Sequence, residues 1–123
     1  MGAKVVDASV LAALAFGEAR AAEAKKALGK GRLYAPRLMG YELTHVAVKK
    51  ISRQPEEKTK ILKALDLALR LEIQWVNVDL SAVAKLAIGK DLTAYDASYL
   101  YVSASLGIPL ITFDEKLLSR SVR

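Results

Sequence analysis

The sequence predicts an α/β protein, a three-layer α/β/α sandwich with a short central parallel sheet of four strands, or five. Three observations carry that expectation. Short β-branched or aromatic runs ("KVV", "LYAP", "IQWVNV", "IPLITF") alternate with segments of helical spacing, the pattern of β-helix-β units whose strands lie parallel beneath covering helices. No repeat, low-complexity tract or linker interrupts the alternation. A chain of 123 residues can bury well over half of its unfolded surface around one core, so residues 1–123 are expected to form a single domain.

Taken in order, Lys4 to Val6 forms the first strand, which ends at Asp7, and a helix follows from about Ser9. Glu18 to Leu28, rich in Ala, Glu and Lys, predicts a second helix stopped by Gly29 and Gly31. "LYAP" is a second strand ended by Pro36. "RLMGYELTHVAVKKI" spaces Met39, Leu43, Val46 and Val48 or Ile51 close to one helical face, with Glu42 in its early turns. Pro55 suits the first turn of the next helix, where Glu56 and Glu57 complement the dipole. The body of that helix, "ILKALDLALRL", is apolar on more than one face, which implies either deep core or a surface covered by a partner.

"IQWVNV" predicts a buried third strand, and Ser81 can cap a helix running to about Ile88. Thr93-x-x-Asp96 has the form of a capping box at the start of another helix, with Tyr95, Tyr99, Val102 and Leu106 on its buried face and Gly107 at its end. "IPLITF" is the fourth strand, and a short helix from Glu115 to about Ser121 follows.

The composition narrows the function classes. Without cysteine there is no disulfide framework, zinc-thiolate site or thiol nucleophile, which agrees with a reducing cytoplasm. The uncharged stretch Ala8 to Gly17 is too short to span a bilayer, and the longer one, Ala97 to Phe113, is broken by Gly107 and Pro109, so a soluble, cytoplasmic chain is expected. Nineteen Lys and Arg against thirteen Asp and Glu, a net charge of +6, favour a polyanionic partner.

In a parallel sheet with antiparallel return helices, helix N-termini share an edge with strand C-termini, and ligands bind there. Four acids map to that edge: Asp7 and Asp114 after strands, Asp96 in a first helical turn, and Glu42 in the early turns of another helix. Taken singly, each has a structural explanation as a cap or a solvated acid. Together, four crowded carboxylates would repel one another unless a cation lay between them. Asp79 and Asp91 also fall near this edge and are read as structural, as is the lone His45, one turn beyond Glu42.

"VVDAS", "YEL", "LTAYDASYL" and "LITFDEKL", in that order and spacing, resemble the PIN-domain ribonucleases, most closely the VapC-type toxins of prokaryotic toxin-antitoxin pairs. The resemblance spans nearly the whole chain, and the block around Asp96 followed by "TFD" is its most specific part. It implies that Asp7, Glu42, Asp96 and Asp114 are the catalytic, metal-binding acids for Mg2+ or Mn2+, with Ser9 and Thr112 as supporting hydroxyls. It further implies cleavage of an RNA substrate and an antitoxin partner. A homodimer is expected from the apolar breadth of "ILKALDLALRL". The chain departs from the family in leaving little room after the last helix for a fifth edge strand.

Other readings are weaker. No G-x-G-x-x-G follows the first strand, and "GKG" at 29–31 lacks the rest of a P-loop. A receiver-like phosphoacceptor domain wants paired acids after strand one, where only Asp7 stands, although Asp79 could mimic the acid after strand three. A catalytically inactive PIN-like module that binds RNA or protein is the closer rival.

Overall fold

The computed structural model describes residues 2–121. Its elements follow the expected alternation: β1 (Lys4–Val6), α1 (Ala8–Ala15), α2 (Ala21–Leu28), β2 (Leu33–Pro36), α3 (Leu38–Arg53), a 3-10 turn (Pro55–Glu57), α4 (Lys58–Leu69), β3 (Ile73–Val76), α5 (Leu80–Lys90), α6 (Ala94–Leu106), β4 (Leu110–Ile111) and α7 (Glu115–Ser121). The strands pair in parallel in the order β3-β2-β1-β4, which puts β1 inside the sheet. Helix α1 packs against α2, α3 and α4, while α6 lies on β1 and β2 with α5 beside it, giving the three-layer arrangement. Among the described residues the sheet has four strands; a fifth after Ser121 would lie outside them.

The core is centred on β1 and the helix that follows it. Val5, Val6, Val10 and Leu11 are fully buried, joined by Met39 and Leu43 from α3, Tyr99 and Val102 from α6, and Leu117 from α7. A smaller cluster of Val83, Ala87 and Ala97 joins α5 to α6.

Several elements differ from the sequence expectation, each for a local reason. Helix α2 begins at Ala21, not Glu18, because Gly17 turns the chain at φ 62° and the Glu18 N–H caps back to the Ala13 carbonyl. Asp79, not Ser81, caps α5, its carboxylate accepting from the Ala82 N–H at 3.2 Å, and the helix runs on to Lys90. Asp91 ends it in the left-handed region, near Lys116 and Arg120, so both of these acids are structural.

The α3 stripe that enters the core is Met39, Leu43 and Ala47, one residue every fourth, which turns Val48 outward. Strand β3 is an edge strand, and only Ile73 in it is buried. On α6 the buried set is Ala97 to Leu100 with Val102, whereas Tyr95, in the first turn beyond the sheet edge, is 63% exposed and Leu106 is exposed at the other end. The excess apolar surface of α4 resolves into a buried row, Ile61, Leu65 and Ala68, and an exposed set of Leu62, Leu67 and Leu69.

The largest departure is at β4, which stops at Ile111 instead of running through Phe113. Thr112 and Phe113 leave the ladder because side-chain bonds divert them: the Thr112 hydroxyl donates to Asp7, and the Phe113 N–H donates to the Ser9 hydroxyl at 3.2 Å. Asp114 is thereby carried past the strand to the start of α7, where its carboxylate accepts from the Leu117 N–H at 2.9 Å.

Candidate active site

Asp7 ends the interior strand and caps α1, so its backbone is fixed by both elements. The residue is 5% exposed, and both oxygens of its carboxylate are hydrogen-bonded. One oxygen accepts from the Ser9 hydroxyl at 2.7 Å and the Val10 N–H at 3.2 Å, and the other accepts from the Thr112 hydroxyl. Burial pushes its pKa above the ordinary carboxylate value, and the Ser9, Thr112 and Val10 donors pull back by favouring the charged form. Thr112 in turn accepts from the Asp114 N–H at 3.0 Å, so one hydroxyl ties two of the acids together.

Glu42 and Asp96 approach from opposite layers. Glu42, half-buried in α3, accepts a hydrogen bond from the Tyr99 hydroxyl of α6. Burial raises the Glu42 pKa first, the Tyr99 bond opposes it, and the charges of Asp96 and Asp7 raise it further. Asp96 sits in the first turn of α6, its N–H donating to Thr93 at 3.0 Å in half of the expected capping box. Its pKa is raised by burial, then by Asp114 and Asp7, with Thr93 and Lys116 acting weakly the other way. The acids therefore feel one another as like charges, and among the described residues none of the four makes an ion pair.

A cavity of about 470 Å³ brings them together: Asp7, Glu42, Asp96 and Asp114 all line it, with Ser9. Two larger cavities elsewhere, of about 540 and 590 Å³, are lined by no Asp or Glu among the described residues. His45 and Lys49, one and two turns beyond Glu42 on α3, and the exposed Tyr41 line the same cavity; sequence spacing placed His45 beside Glu42 but offered no reason to assign it a site. Tyr99 was legible as a core residue; its second task, holding Glu42, depends on α3 meeting α6 and has no sequence signature. Burial and the Glu42 carboxylate push the Tyr99 phenol above its ordinary range, so it remains a hydrogen-bond donor.

The donor set is all oxygen, which suits a hard divalent cation. Among the described residues, however, no three Asp, Glu, His or Cys side chains are gathered into a ready metal-holding group. Three of the four acids are retained by bonds to their own surroundings: Asp7 by Ser9 and Thr112, Glu42 by Tyr99, Asp114 by the α7 N-terminus. A cation that keeps several of its waters, as Mg2+ does, can be held by one or two carboxylates directly and by others through water, so the donor chemistry fits.

Comparison with known proteins agrees with this architecture. The family model described as "PIN domain" matches residues 4–121. Ribonuclease VapC3 of Pyrobaculum aerophilum is 29% identical over 121 residues, which cover 94% of this chain and 92% of that protein. Exonuclease VapC9 of the same organism is 45% identical over a local stretch of 42 residues, 34% of this chain and 32% of that one. The crystal structure of PAE2754 from Pyrobaculum aerophilum superposes with a TM-score of 0.78 at 28% identity, covering 97% of this chain and 79% of that one. VapC20 of Mycobacterium tuberculosis, a sarcin-ricin loop cleaving toxin, superposes with a TM-score of 0.71 over 94% of this chain and 93% of its own; at 19% identity that likeness concerns the fold alone. With a family model matched from the first strand to the last helix, the chain belongs to the PIN-domain family.

Proposed function

We propose that this protein is a Mg2+- or Mn2+-dependent endoribonuclease, the toxin of a toxin-antitoxin pair, acting in the cytoplasm and restrained by a cognate antitoxin protein. The observation that carries the reading is the convergence of Asp7, Glu42, Asp96 and Asp114 on one cavity without an ion-pair partner for any of them among the described residues. The similarity to ribonuclease VapC3 over 94% of the chain supports RNA as the substrate, and the net charge of +6 suits a polyanion.

In this reading Asp7, Glu42, Asp96 and Asp114 hold the cation. When bound, it supplies an activated water at neutral pH and offsets charge on the phosphoryl group. Ser9 and Thr112 keep the Asp7 carboxylate in one orientation, and Tyr99 does the same for Glu42. Lys49, on the cavity wall, is placed to attract the phosphate backbone that the four carboxylates would otherwise repel. The exposed leucines of α4, Leu62, Leu67 and Leu69, support self-association into a homodimer.

Incubation of labelled tRNA, rRNA fragments and mRNA with Mg2+, Mn2+ or EDTA tests the reading. Cleavage at internal bonds is expected with either metal, abolished by EDTA and by Asp96→Asn. Cleavage indifferent to chelation and to that substitution would overturn it, and binding of RNA without cleavage would favour an inactive PIN-like module.

A further inference from the structure

Beside the acid-lined cavity lies a second hollow of about 390 Å³, which shares Ser9 and Val46 with it. The small side chains Ala12, Ala13 and Ala19 line it, together with Arg20 and Phe113. Small residues leave space, and what faces that space is flat: the Arg20 guanidinium carbon sits 3.7 Å from the centroid of the Phe113 ring. Glu23 holds the guanidinium side-on, accepting from Nε at 2.9 Å and from a terminal nitrogen at 2.7 Å. Although so anchored, the Arg20 side chain remains 50% exposed. A solvent-facing guanidinium plane, held by two hydrogen bonds over an aromatic ring, is a surface on which a nucleobase stacks.

The hollow is also in fixed register with the acids. Phe113 stands between Thr112 and Asp114, and its N–H donates to the Ser9 hydroxyl, which donates to Asp7. A base resting there would belong to a nucleotide whose phosphate lies at or next to the carboxylates. We propose that this hollow is a nucleobase subsite, in which one base of a single-stranded or looped RNA stacks on the Arg20–Phe113 platform and thereby selects the phosphodiester presented to the acids. The proposal rests on the endoribonuclease reading and assigns the part of the site that grips substrate.

The test uses short RNAs that the parent protein cleaves, with an abasic nucleotide placed at each position around the cut. At one position the parent should lose about tenfold to a hundredfold in kcat/KM, the span that stacking of one base carries. In Arg20→Ala that abasic penalty should shrink, and in Arg20→Ala combined with Phe113→Leu it should vanish. The rise in melting midpoint on adding Mn2+ should stay at the parent's value in both variants, because neither residue belongs to the acid cluster. Arg20→Ala alters an exposed side chain, so it remains informative should the double variant fold poorly.

An abasic penalty that is absent in the parent, or equal in parent and variants, overturns the subsite while leaving the nuclease reading intact. Loss of the Mn2+ response in Arg20→Ala also overturns it, since the effect would then run through the acids. An unchanged penalty with weaker inhibition by a co-expressed antitoxin overturns it in favour of a protein-docking groove. A parent that cleaves no RNA overturns the endoribonuclease reading, and the subsite with it.

Discussion

At the scale of single residues, the two readings of Asp96, helix cap or site acid, make opposite predictions. As a cap it would be stabilising, and Asn in its place would be neutral or slightly worse. Instead its pKa is raised by burial and then by Asp114 and Asp7, so its charge costs the folded state free energy. Metal-free Asp96→Asn should therefore melt a few degrees above the metal-free parent at neutral pH, on the order of 1 kcal/mol after solvent screening. Mn2+ should raise the parent's midpoint far more than the variant's. The sign with pH follows from linkage. A carboxyl whose native pKa lies above its ordinary value of 3.8 binds its proton more readily when folded, so its stabilising contribution is present at low pH and is lost as pH rises through the native value. Melting curves in EDTA from about pH 4 upward should show parent and variant close together at the acid end and diverging towards neutrality. Tyr99 offers a second test at this scale. It is 2% exposed, and Tyr99→Phe removes its bond to Glu42 together with the backbone bond its hydroxyl makes at Ala8, which should lower stability by about 1–2 kcal/mol and weaken Mn2+ binding severalfold in calorimetry.

At the scale of elements, α6 shows how local and tertiary demands are divided along one helix. Thr93 caps it by accepting from the Asp96 N–H at 3.0 Å, and Gly107 closes it at φ 66°, both readable as sequence punctuation. Thr93→Ala removes that acceptor and should cost about 1 kcal/mol in a denaturant melt. The same change should leave the Mn2+ response in place, because it releases the helix end without removing a carboxylate. Which face of α6 is buried was legible only in part. Tyr99 and Val102 enter the core, but Tyr95, in the first turn, stays 63% exposed at the rim of a surface hollow it shares with Pro36 and Val76. Strand β4 teaches the converse: "IPLITF" has strand character throughout, yet the ladder ends at Ile111 because Asp7 and Ser9, more than a hundred residues earlier, capture Thr112 and Phe113.

At the scale of the whole molecule, α4 leaves Leu67 58% exposed with Leu62 and Leu69 beside the buried row that ties the helix to the core. If that surface is the dimer face, sedimentation at tens of micromolar should report a dimer for the parent and a monomer for Leu67→Glu, with unchanged helical content; a parent that stays monomeric removes the oligomer from the account. No helix among the described residues is long and apolar enough to cross a membrane. The order and kind of the elements, and the arrival of Asp7, Glu42, Asp96 and Asp114 at one sheet edge, were determined by the sequence itself. Strand-helix alternation has few right-handed parallel solutions, and each acid stood at a strand end or early in a helix. Caps and strand limits are competitions between neighbouring hydrogen-bonding groups, so Asp79 could displace Ser81 and Gly17 could delay α2 without altering the pattern of apolar residues. What only the tertiary structure decided is what each acid touches: Thr112 linking Asp7 to Asp114, Tyr99 holding Glu42, and Arg20 stacking on Phe113 beside them. Those contacts join residues far apart in the chain through side chains whose types are common in any core or surface, and only the packing of α1, α3, α6 and the β4–α7 turn around one edge brings them within bonding distance.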